Sequence, residues 1–161
     1  MGDNVRRGFL ARIKKELRPA FMYARVWILR NLWGMHIGKD CMISFSAKLD
    51  TTYPRGVRIG DHTAISFGAV ILTHDYVRGM HRDTVIGREC QIGARSFIFP
   101  GVTIGDNCIV AAASVVMRDV PANSIVSGNP ARVIEKDIRT GRWGKLILEE
   151  SGPATGSGAD S

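Results

Sequence analysis

Aliphatic residues recur every six positions along most of this chain, a period that suits neither an α-helix, with about 3.6 residues per turn, nor a strand that alternates every second residue. The series runs Ile37, Ile43, Leu49, then Ile59, Ile65, Ile71, then unbroken through Ile86, Ile92, Ile98, Ile104, Val110 and Val116. The next residue is often small, as at Gly38, Ser44, Gly60, Ser66, Gly87, Gly93, Gly105 and Ala111. Four places after the aliphatic comes a second small or medium residue: Cys41, Ala47, Thr63, Ala69, Cys90, Ser96, Val102, Cys108, Ser114, Val120. A short strand followed by a tight turn, with one bulky and one small residue per unit facing inward, satisfies this pattern. Three such units close one triangular coil, and coils stack at about the 4.8 Å spacing of paired strands. The fold class is therefore all-β. The three cysteines occupy the second slot, are odd in number and lack CxxC spacing, so they read as small inward hydrophobes rather than as a disulfide framework, a zinc site or a nucleophile.

The rhythm fails within "AVILTHDYVRGMHRDTVIG", residues 69–87. Fifteen residues separate Ile71 from Ile86, where whole units would give 12 or 18. A loop over 74–85 must leave the coil, and its polar, charged content suits contact with a ligand or a neighbouring subunit. His74 falls at a corner, and Asp75 takes a slot otherwise reserved for small inward residues. A buried, unpaired carboxylate is costly, so Asp75 must turn outward or find a partner such as an imidazole. Histidine titrates nearest neutrality, which suits a general base.

The repeat, together with "VTIGDNCIVAAASVVMRDVPANSIVSGNPARVIEKDI" at 102–138, resembles the hexapeptide-repeat acyltransferases of the left-handed parallel β-helix superfamily, in particular sugar O-acetyltransferases of the maltose, galactoside and polysaccharide type. The resemblance spans about residues 35–138. It implies a left-handed coil, against the usual crossover hand, and a homotrimer with active sites between subunits. It further implies direct acetyl transfer from acetyl-CoA to a sugar or nucleotide-sugar acceptor, with His74 as base and either Asp75 or Asp50 orienting it. Carried over position by position, backbone contacts to the pantetheine arm fall on Ala94 and Ala112, those near the adenine on Met117 and Arg118, and phosphate contacts on Arg132 and Lys136. Gln91 replaces a tryptophan common in the family, "AAAS" at 111–114 replaces "GAGS", and Ser44 and Ser46 stand where relatives place Tyr and Asn against the acceptor. Hydroxyl and amine acceptors, the latter on a nucleotide sugar, both stay open. The reading from another class is a γ-carbonic-anhydrase-like metal protein or a scaffold. No metal is expected, because His62, His74 and His81 lie 12 and 7 residues apart, unlike that family's zinc ligands.

Charge is concentrated at one end. Of the formal +7, a net +6 precedes Trp33, where eight Lys and Arg oppose only Asp3 and Glu16; the remaining chain is nearly neutral. Residues 1–34 read as a basic helical segment with Pro19 near a junction, either a solvated face or a surface for peripheral contact with the inner face of a membrane. No nucleic-acid motif accompanies the charge, so no nucleic-acid partner is expected. Arg25 and Arg30 interrupt "FMYARVWILRNLWGM", leaving it too short and too charged to span a bilayer, and no signal-peptide cleavage site follows. The chain therefore reads as cytoplasmic. The coil covers 35–131, a short C-terminal helix or extension 132–150, and a flexible tail 151–161.

Overall fold

A computed structural model describes residues 20–148. Successive strands enter three parallel sheets in strict rotation. The first sheet stacks His36–Ile37, Val57–Ile59, Thr84–Ile86 and Thr103–Ile104; the second contains Met42–Ile43, Ala64–Ile65, Gln91–Ile92, Ile109–Val110 and Ser124–Gly128; the third Lys48–Leu49, Val70–Ile71, Phe97–Ile98 and Val115–Val116. This is a β-helix, and the six-residue period is its cause. Each aliphatic lies directly over its counterpart one coil away, as in Ile43, Ile65, Ile92, Val110 and Val126. All five are almost fully buried.

The second slot faces inward as well. Its polar members are satisfied: Thr63 Oγ1 donates to Gly87 O of the next coil at 2.8 Å and accepts the Cys90 N–H, and Ser96 Oγ donates within its own corner to Gly93 O at 2.7 Å. Cys41, Cys90 and Cys108 are free and buried, with thiols directed at Gly60 O, Gly105 O and Pro121 O. None of the three is expected to react with a maleimide or an aromatic disulfide in the native protein, and all three to react after denaturation. A native count above zero contradicts this packing.

Corners are tight. Asp40, His62, Glu89, Asn107 and Asn123 stack at one corner with left-handed φ of 50–58°. There the amide of His62 donates to Lys39 O, that of Glu89 to Asp61 O and that of Asn107 to Arg88 O. Just before this corner a Cβ on Gly60 would sit 2.6 Å from Arg88 N and 2.6 Å from Gly87 C, both main-chain atoms that cannot yield without separating coils. Gly60→Ala is therefore expected to cost about 1–3 kcal/mol in denaturant unfolding. An unchanged midpoint counts against the close stack.

Coil length is where the pattern departs from the ideal. Pairing of Ile37 with Ile59, Ile59 with Ile86 and Ile86 with Ile104 gives steps of 22, 27 and 18 residues. Only the last is three plain units. The first excess forms a turn at Pro54–Gly56, and the second a hairpin of His74–Asp75 against Met80–His81. The hairpin ends earlier than the expected 74–85, because Thr84 already pairs with Val57 in the first sheet.

A helix over 20–31 closes one end by burying Val26 and Leu29. Two of its cations act inside the fold. Arg30 Nε donates to Ile37 O at 2.7 Å, the bond that Gly38 N–H gives to Ile59 O one coil further on. Arg25 Nη2 likewise supplies Ala47 O at 2.7 Å, as Lys48 N–H supplies Ala69 O. The two guanidinium groups thus stand in for a missing coil and blunt an open sheet edge.

At the other end the expected short C-terminal helix does not form. Ala131–Lys136 is instead a strand antiparallel to Ser124–Gly128, with a bulge at Ile125/Val126. The open edge offers a row of unpaired backbone groups, and pairing to it outweighs the helix preference of Ala, Arg, Glu and Lys. The chain then runs back along the stacked corner: Trp143 N–H donates to His62 O, its indole to Asp40 O, and Arg142 binds the Asp40 carboxylate through two nitrogens. The tail 151–161 and the part of the basic segment before residue 20 lie outside the described residues.

Candidate active site

His74 opens the hairpin, and Asp50 ends the strand unit one coil away, where Asp50 N–H donates to Ile71 O. This stacking places the two side chains together across 24 residues of sequence. His74 Nδ1 lies 2.5 Å from Asp50 Oδ2. The same oxygen accepts the amides of Thr73 at 2.8 Å and His74 at 3.0 Å, and Oδ1 accepts the Thr52 amide at 2.8 Å. The Asp50 side chain is 2% exposed and that of His74 30%. Burial alone would raise the Asp50 pKa, yet the hydrogen bonds from the Thr73 amide, the His74 ring and the Thr52 and His74 amides outweigh it and hold the carboxyl at about 2. Asp50 is therefore an anion at neutral pH. An anion against Nδ1 requires Nδ1 to carry the proton, which leaves Nε2 with its lone pair.

Asp75, the other candidate to orient the ring, does not do so. Its carboxylate accepts the Arg78 amide at 3.0 Å and Arg78 Nη1 at 2.6 Å. Arg78 also lowers the Asp75 pKa, first through the side-chain bond. The reason is local: His74–Asp75 is a strand, and neighbouring side chains on a strand point to opposite faces.

His74 lines a cleft of about 420 Å³ with the apolar Leu72, Val77, Phe99 and Pro100, with Tyr76, and with the ion-paired Asp75 and Arg78. Low polarity beside a base strengthens its interaction with charge that develops in the cleft. The hairpin is anchored at its foot: the Tyr53 ring packs on His81 at 5.4 Å, Tyr53 O–H donates to Asp83, and Arg58 Nε donates to Asp83 at 2.7 Å. Thr73 Oγ1 donates to Tyr53 O at 2.7 Å, tying the hairpin to the Pro54–Gly56 turn.

Of the positions implied for the donor, none lines this cleft. Ala94 and Ala112 occupy the corner between the second and third sheets in adjacent coils, where Ala113 N–H donates to Ala94 O. Met117 and Arg118 follow the last strand of the third sheet, and Met117 is exposed. Arg132 and Lys136 lie exposed on the returning strand. One chain thus gathers His74 and Asp50 and leaves the other six apart from them. His62 is bound to Asp40 at a different corner from His74, and among the described residues no three His, Cys, Asp or Glu cluster to hold a metal.

Tyr53, Thr73, Phe99 and Pro100 are site residues that the sequence reading lacks. The signal for the first two is a second break in the period, since Leu49 and Ile59 stand ten residues apart where a plain unit gives six.

The chain is similar to known acetyltransferases in sequence and in fold. A family model described as the hexapeptide repeat of succinyl-transferase matches residues 83–118. WcaF of Escherichia coli, provisionally named a colanic acid biosynthesis acetyltransferase, is 33% identical over 148 residues, covering 76% of this chain and 80% of that protein. Among solved structures, a maltose O-acetyltransferase from Clostridium difficile 630 aligns with TM-score 0.57 and 28% identity over 78% of this chain and 84% of the other. A hexapeptide-repeat acetyltransferase from Vibrio cholerae, complexed with acetyl coenzyme A, aligns with TM-score 0.57 and 29% identity over 71% and 76%.

Proposed function

The chain belongs to the hexapeptide-repeat acetyltransferases, and on that premise we propose that it moves the acetyl group of acetyl-CoA onto a hydroxyl of a carbohydrate. The observation that carries this reading is the Asp50–His74 pair: an imidazole held by an ionised, buried carboxylate, at the edge of an apolar cleft.

His74 Nε2 accepts the proton of the acceptor hydroxyl as its oxygen attacks the acetyl carbonyl. The C–S bond breaks, the thiolate leaves, and the imidazolium returns the proton to sulfur. Ester and free CoA result, and His74 ends as it began. Asp50 fixes the tautomer at the start and stabilises the imidazolium in between. No acyl-enzyme is needed, which agrees with three cysteines shut inside the coil.

The donor lies against Ala94, Ala112, Met117 and Arg118, with Arg132 and Lys136 on its phosphates. The coil is left-handed, and because these positions stand apart from His74 in one chain, it assembles as a homotrimer in which one subunit's hairpin meets its neighbour's donor groove. The relatives' names, colanic acid biosynthesis and maltose acetylation, favour a sugar acceptor of the polysaccharide type.

Thiol release from acetyl-CoA against a panel of sugars, amino sugars and nucleotide sugars tests the reaction, and light scattering tests the trimer. Release with hydroxyl acceptors is the expected result. Release with amino sugars alone moves the acceptor to nitrogen, and silence across the panel removes the proposal.

A further inference from the structure

The helix over 20–31 turns an apolar face away from the coil. Phe21, Tyr23, Trp27, Ile28 and Leu32 are exposed on it, with Leu32 at 71% and Trp27 at 59%, and Trp33 in the following turn is exposed too. The two cations of this helix do not dilute that face, because Arg25 and Arg30 are drawn inward onto the carbonyls of the first coil. No acidic residue occurs between Glu16 and Asp40. Immediately before the helix, Arg6, Arg7, Arg12, Lys14, Lys15 and Arg18 oppose only Asp3 and Glu16. Among those cations Val5, Phe9, Ile13 and Leu17 recur every fourth residue, a spacing that Phe21 continues.

We propose that this face is a docking surface for an anionic lipid bilayer, lying in its interface without crossing it. Aromatic residues with a polar edge, such as Trp and Tyr, favour the headgroup level, and aliphatics beside them enter the acyl boundary. Adjacent cations add attraction to an anionic surface within a Debye length. Charge decides between this occupant and a second copy of the chain. Two copies meeting through this face would bring two strongly basic segments together, whereas an anionic membrane complements them. Among the described residues no helix is long and apolar enough to cross a bilayer. The inference is independent of the acetyl-transfer chemistry, since no residue of the face lies in the His74 cleft.

The test is flotation of the full chain with vesicles of phosphatidylcholine alone and of phosphatidylcholine with about 30% phosphatidylglycerol, beside the variant Phe21→Gln/Trp27→Gln/Leu32→Gln. All three residues are exposed, so the fold is expected to survive. The parent should float with the anionic vesicles at low salt and lose most of that binding in about 0.5 M sodium chloride. The variant should bind at least about tenfold more weakly, with acetyl transfer to a water-soluble acceptor equal in the two proteins. That last measurement separates the two proposals, because loss of flotation with transfer intact touches only the docking surface. A parent that floats with neither vesicle overturns the inference, as does a variant that floats like the parent. So does a variant whose mass by light scattering drops below the parent's, since the face would then be a contact between copies.

Discussion

His74→Ala lowers the turnover of acetyl transfer by on the order of 100-fold or more, measured as thiol release at saturating acetyl-CoA and acceptor. The substitution removes the imidazole at the cleft edge whose lone pair is oriented by a buried anion. It removes little else. The His74 amide still donates to Asp50 Oδ2, and the Thr73 and Thr52 amides keep their bonds, so the carboxylate stays satisfied and the hairpin stays in place. Unfolding midpoint and oligomeric mass should therefore match those of the parent. The Michaelis constant for acetyl-CoA should change little, because the contacts proposed for the donor lie elsewhere. What survives is the rate that positioning alone provides, without a base to take the hydroxyl proton. A variant that turns over at the parent's speed with the fold intact removes His74 from the mechanism and leaves the architecture standing.

The stacking of coils was legible because burial acts on every sixth residue, one for each side of the coil, and residues of one side, such as Ile43, Ile65, Ile92 and Val110, cover one another from coil to coil. The hairpin at His74 was legible as an interruption of that period. Its partner was harder to read. Asp75 is adjacent in sequence and points away, while Asp50 is distant in sequence and adjacent in space, and only the 22-residue step from Ile37 to Ile59 aligns it. The end of the chain misled for a different reason. Ala131–Lys136 has the local composition of a helix, and an unpaired sheet edge, which no local pattern encodes, makes it a strand. Arg25 and Arg30 look like surface charge in the sequence. Their bonds to Ala47 O and Ile37 O exist because, among the described residues, a helix rather than an earlier coil covers the first one, so no strand amides reach those carbonyls.

Asp50→Asn should be nearly as damaging as loss of the imidazole, with turnover falling by about 10²–10⁴-fold. The carboxylate accepts four hydrogen bonds and donates none. An asparagine has one acceptor oxygen. With that oxygen toward His74, its NH₂ faces the Thr52 amide, donor against donor. With the oxygen toward Thr52, the NH₂ faces Nδ1 and favours the tautomer that places the proton on Nε2, where no base remains. In either orientation the negative charge that stabilises the imidazolium is gone. Because Asp50 is buried and acts through the ring, the Michaelis constants should move far less than turnover. Stability carries a second signature. The folded carboxyl titrates at about 2, below the ordinary 3.8, so its ionised form favours the native state above about pH 4, and that contribution disappears as pH falls from there toward 2. The parent should lose on the order of 2 kcal/mol across this window through Asp50, and the variant, with nothing to titrate at that position, should lose correspondingly less. Equal acid sensitivity in the two proteins, with turnover unchanged, means that the short contact between Asp50 and His74 does not set the charge state of the site.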